Sequence, residues 1–138
     1  LSSNLTTLRA QRHSIKDGIN FSRSEANSWD DKVNRLQHSA NQLEASIKKM
    51  DATNRNIESL EVDKRRWKGK EENKFSDNYN VYQSDVRSFI TRTKDSKNII
   101  EEEIIRAETK RDNYLSGIDQ LNRSLVSIES QIAIEERK

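Results

Sequence analysis

The chain has 138 residues, of which 25 are basic and 23 acidic for a formal charge of +2, and only 31% are hydrophobic. The absence of cysteine excludes disulfide and thiolate chemistry, and three glycines with no proline leave few places to turn. No apolar run approaches the ~18 residues of a membrane span and no signal-peptide core is visible, so neither spanning nor Sec-type export is expected.

The first residue is Leu1 and not Met, so the native N-terminus is expected to be trimmed or to lie outside this sequence. Ser2 and Ser3 are candidate N-caps. From there a seam of alternating three- and four-residue steps runs Leu5, Leu8, Arg12, Ile15, Ile19, Ser22, Ala26, Trp29, Val33, Leu36, Ala40, Leu43, Ile47, Met50, Asn54, Ile57. Sustained spacing of this kind predicts one long helix over about 3–65 with a narrow buried stripe.

The strongest break lies in Lys64–Tyr79. Lys64, Arg65 and Arg66 suit the negative end of a helix dipole, while Glu71 and Glu72 suit the positive start of the next helix. Gly69 between them supplies backbone freedom for a reversal, placing a turn at about 66–70. A second helix over about 70–136 follows. Its apolar seam reads Phe75, Tyr79, Tyr82, Val86, Phe89, Thr93, Ser96, Ile100, Ile104, Ala107, Arg111, Tyr114, Ile118, Leu121, Leu125, Ile128, Ile132. Two successive steps of four near Ser96–Ile104 predict a stutter that locally unwinds a supercoil. The expected fold is all-α, a single long antiparallel two-helix hairpin resembling a coiled coil, with facing residue numbers adding to about 137. Trp29 then lies opposite Ala107, large against small.

Some apolar residues fall outside the seams. Ile90, Leu115, Val126 and Ala133 form one flank of the second helix, with Val81 and Ile99 on the other. Phe21, Ile105 and Ile134 point nearly away from the partner helix. A recurring apolar flank on a two-helix unit predicts burial by another helix or chain. Gly18 and Gly117 stand at nearly the same level of the hairpin, where they serve either as a hinge or as a point of close backbone approach.

Chemistry is excluded mostly by elimination. His13 and His38 belong to no spaced ligand cluster, and Glu101–Glu103 sits on a helix without the loop geometry of a cation site. No phosphate-binding loop, nucleophile elbow or cleft is apparent, so neither an enzyme nor a cofactor, metal or small-molecule substrate is expected.

At the turn, Trp67-Lys68-Gly69 is followed by Phe75 and then Tyr79, eight and twelve residues after the tryptophan. This resembles the W-x-G helical-hairpin family of Gram-positive and mycobacterial type VII secretion substrates, where a Trp-x-Gly turn joins two antiparallel helices. The chain departs from the usual pattern in its greater length. It also lacks a Tyr-x-x-x-Asp/Glu export motif, since Tyr79, Tyr82 and Tyr114 are followed four residues later by Gln83, Val86 and Ile118. In these respects it looks more like the small helical partner proteins of LXG-domain toxins. The resemblance implies binding to the toxin's helical domain or to a second small helical protein, as an export chaperone that presents the cargo to the secretion machinery. It also implies recognition of Trp67, Gly69, Phe75 and Tyr79 by the secretion ATPase. Phe21 and Glu25 are loosely like a second export element. The implied location is the cytoplasm before export, with secretion alongside the cargo left open.

Two other readings stand beside this one. Lys64, Arg65, Arg66, Lys68 and Lys70 crowd five cations around an aromatic, which is a footprint of nucleic-acid binding by a helical arm. Glu71 and Glu72 follow at once, however, and the helices carry balanced charge. The chain also reads as a coiled-coil segment of a larger scaffold.

Overall fold

The computed structural model describes residues 2–59 and 70–138, with side chains described for 4–56, 74 and 77–138. Two long α-helices pack against each other: α1, Ser2–Ser59, and α2, Lys70–Glu136. Helix α2 ends where predicted, at Glu136, and Lys70 is its first described residue. The expected last turns of the first helix and the turn itself, apart from Lys70, lie outside the described residues.

The contacts divide the chain into two units, one combining Leu1–Arg35 with Ile104–Lys138 and the other spanning Leu36–Glu103. In the first unit the segments run antiparallel, since Arg9 reaches Glu136 while Asp30 reaches Arg111. Its core is Leu8, Ile19, Ala26 and Val33 against Ile104, Ala107, Ile118 and Ile132. The second unit buries Ala40 and Ile47 of α1 with Tyr79 and Ile90 of α2. Full burial of each Ile stabilises by about 1.5–3 kcal/mol, and the alanines let the backbones approach.

The seam of α1 is the predicted one: every described side chain on it from Leu5 to Asn54 is buried or half-buried. That of α2 differs in its first half. Tyr82, Phe89 and Ser96 are exposed, and the covered positions are Tyr79, Gln83, Val86, Ile90, Thr93, Lys97, Ile100 and Ile104. These continue into Ala107, Arg111, Tyr114 and Ile118 by strict alternation of four and three. No stutter therefore occurs in the covered seam of α2. Ile90, expected on a free flank, is 7% exposed and lies within this seam, because it is seven residues from Gln83 and from Lys97. Thr93 is accommodated at a half-buried seam position by donating its hydroxyl to the Phe89 carbonyl at 2.8 Å.

Cross-helix pairs place the predicted register within their range. Their numbers add to 135 for Phe21 and Tyr114, and to 141 for both Asp30 with Arg111 and Glu44 with Lys97. Ala107 is almost fully buried. Trp29 is half-buried, with Lys32 Nζ 5.0 Å from its ring centroid.

Candidate interaction faces

Polar chemistry in both units concentrates where α1 meets α2 through ion pairs. Arg9, Asp30 and Glu44 each follow a seam residue (Leu8, Trp29 and Leu43) by one position, and whole heptads separate them. Each reaches across to α2. Arg9 Nη2 donates to Glu136 Oε1 at 3.2 Å, and Arg111 Nη1 donates to Asp30 Oδ1 at 2.9 Å. Lys97 Nζ lies 2.6 Å from Glu44 Oε2 and 3.3 Å from Glu101 Oε1. Lys97 and Arg111 are themselves seam residues, with side chains 26% and 25% exposed.

Hydrogen bonding from Lys97 holds the Glu44 carboxyl below its ordinary range, and Glu44 with Glu101 pushes the Lys97 ammonium up. Asp30, then Asp112, raise Arg111 in the same way. Near the end of α2, Glu135 is lowered by hydrogen bonds from Lys138 and from Asn4 of α1. Such solvent-exposed pairs add little stability, because screening by water and the ordering of long side chains offset much of the attraction.

His13 Nε2 lies 3.3 Å from Asp17 Oδ2 on one exposed helix surface, open to solvent. Glu101 of the acidic run is engaged by Lys97. Among the described residues no group of three or more His, Cys, Asp or Glu is placed to hold a metal ion. A shallow hollow of the first unit is lined by Thr7, Ala10, Gln11, Ser14, Ile15, Ser124, Ser127 and Ile128, none of them titratable near neutrality.

The sequence-predicted site residues separate into groups. Trp67, Gly69, Lys64, Arg65, Arg66 and Lys68 lie outside the described residues. Lys70 and Phe75 fall within α2, but their side chains are not described. Tyr79 is buried in the seam, which gives it a packing role. Of the expected partner-binding flank, Leu115 and Val126 are exposed at 46% and 69%, Ala133 is half-buried and Ile90 is withdrawn into the core. Phe21 is exposed as expected, yet it is not isolated: its ring meets Tyr114 edge-on, with centroids 6.4 Å apart. Glu25 is half-buried.

One apolar surface was not foreseen. In the second unit, Met50, Thr53, Tyr82, Val86 and Phe89 line a shallow groove with Asp85 and Arg92 at its edge. A second hollow shares Met50 and Phe89 and extends to Leu43. The signal was present in the sequence as a second, overlapping seven-residue pattern.

A family model described as YwqH-like matches residues 7–130, almost the whole of both helices. The chain belongs to the YwqH-like family. Comparison with curated proteins and with solved structures finds no match. For this YwqH-like chain, no described helix is long and apolar enough to cross a membrane.

Proposed function

We propose that the chain is a non-enzymatic helical partner of an LXG-type toxin, or of another small helical protein in the same complex, and helps present the cargo to a type VII secretion system. The observation that carries this reading is membership of the YwqH-like family over residues 7–130 of a two-helix protein. The W-x-G element at Trp67–Gly69, with Phe75 and Tyr79 at the offsets of secreted helical hairpins, agrees with it. The exposed Leu115 and Val126 provide apolar surface that a partner helix can cover. Trp67 and Gly69 then act as one half of the export signal. The protein acts in the cytoplasm before export and needs no cofactor.

Co-expression with the helical N-terminal domain of a candidate LXG toxin tests the reading. A stable co-purifying complex, weakened by Leu115→Asp with Val126→Asp, is the expected result. Absence of any complex with toxins encoded beside the gene refutes it.

A further inference from the structure

Helix α2 carries a second line of residues at coiled-coil spacing: Tyr82, Asp85, Phe89, Arg92 and Ser96. All five are exposed, including the two large aromatics. The first four line the groove of the second unit, and Met50 of α1 shares both of its hollows with Phe89. The line has apolar character at its centre and one charge of each sign to either side.

That charge order is self-complementary. Asp85 lies four residues before Phe89 and Arg92 three after it. Seven residues on one helix span about 10 Å, too far for these two to pair with each other. Arg92 Nε donates only at long range, 3.5 Å, to the Ser88 carbonyl of its own helix. An antiparallel copy laid along the line with Phe89 on the two-fold axis sets Asp85 of each chain beside Arg92 of the other, with Tyr82 beside Ser96. A parallel copy sets Asp85 against Asp85 and Arg92 against Arg92. Only the antiparallel two-fold satisfies both charges while covering the aromatics.

The geometry points to self-association: the second unit of one chain docks antiparallel on that of a second copy through the line Tyr82–Ser96, centred on Phe89. Met50 adds a flexible thioether to the middle of the contact. This inference does not rest on the secretion reading, since its occupant is the chain itself.

Sedimentation of the full chain over roughly a hundredfold concentration range tests it. The wild type is expected to shift from monomer to dimer. Phe89→Ala, Asp85→Arg and Arg92→Asp are each expected to weaken the dimer at least about tenfold, with helicity unchanged by circular dichroism. Asp85→Arg and Arg92→Asp chains mixed in equal amounts are expected to regain dimerisation, because the mixed pair opposes unlike charges at both contacts. A wild type that stays monomeric throughout overturns the inference. So does a dimer indifferent to these substitutions, or a mixture that fails to recover. A monomeric chain whose binding to a toxin helical domain is lost in Phe89→Ala assigns the groove to that partner instead, and likewise overturns self-association.

Discussion

Lys97, at a seam position of α2, lies 2.6 Å through its Nζ from Oε2 of Glu44 on α1. Fourteen residues further along α2, Arg111 meets Asp30, which stands fourteen residues before Glu44. The same polar contact thus recurs after two heptads on both helices, with Ile104 midway between the two cations. A slip by one heptad sets Arg111 against Arg23 in one sense and Gln37 in the other, while Lys97 meets Gln37 or Asp51, so either slip leaves Arg111 without its cross-helix carboxylate.

The ion pair predicts how stability depends on pH. Glu44 has a folded-state value below its unfolded one, so its contribution is present above the ordinary carboxylate range and is lost as pH falls through the lowered value. Lys97 is shifted upward, so its contribution is present below the ordinary lysine range and lost as pH rises through the raised value. Thermal melts should show a plateau between those limits. In Lys97→Met the acid-side decline should shrink, and an unchanged acid profile would show that the pair is not formed in solution.

Ile90→Ala and Phe89→Ala distinguish the two possible seams of α2. Removing the buried Ile90 side chain is expected to cost about 2–5 kcal/mol, whereas Phe89, 57% exposed, should cost under ~1 kcal/mol in dilute monomer. Urea titration of both variants is the measurement. The opposite ranking would restore the stuttered seam.

The two outer glycines should respond differently to alanine. A Cβ at Gly18 meets Leu121 Cδ1 at 3.3 Å, while one at Gly117 meets nothing within 4 Å. Gly117→Ala should therefore stabilise by nearly the full ~1 kcal/mol of helix propensity. Gly18→Ala should gain less, because the Leu121 side chain must give way. Equal gains in chemical denaturation would show that Gly18 imposes no packing constraint.

Trp67→Ala is expected to lower export of the cargo toxin several-fold while leaving helicity and toxin binding intact. Secretion assays run beside pull-downs check the division. Loss of binding together with export would make Trp67 part of the partner interface.

The five cations at Lys64, Arg65, Arg66, Lys68 and Lys70 should give little nucleic-acid affinity at physiological salt. Anisotropy titrations with generic RNA and DNA decide this. Sub-micromolar binding with a log–log salt slope near one unit per phosphate contact would establish the nucleic-acid reading instead.

Periodicity, charge and the glycine-marked break were enough to determine two helices, their antiparallel pairing and the whole described seam of α1. Along α1 the seam is apolar at every step but Arg12, Ser22 and Asn54, and Phe21 is the only large apolar residue off it among the described residues, so the 3.6-residue turn of a helix leaves a single face to bury. Helix α2 is different, because two overlapping seams compete between Tyr79 and Ile104. The line through Tyr82 and Phe89 is more aromatic, and hydropathy alone selects it at the cost of a stutter. Packing selects the line through Gln83, Ile90 and Lys97, which joins Ile104 and the rest of α2 in one phase and brings Lys97 to Glu44. Only the tertiary structure decides this, since a seam is chosen by the helix it must fit: continuity of register along α1 outweighs the burial of two aromatic rings, which are left to line an open groove.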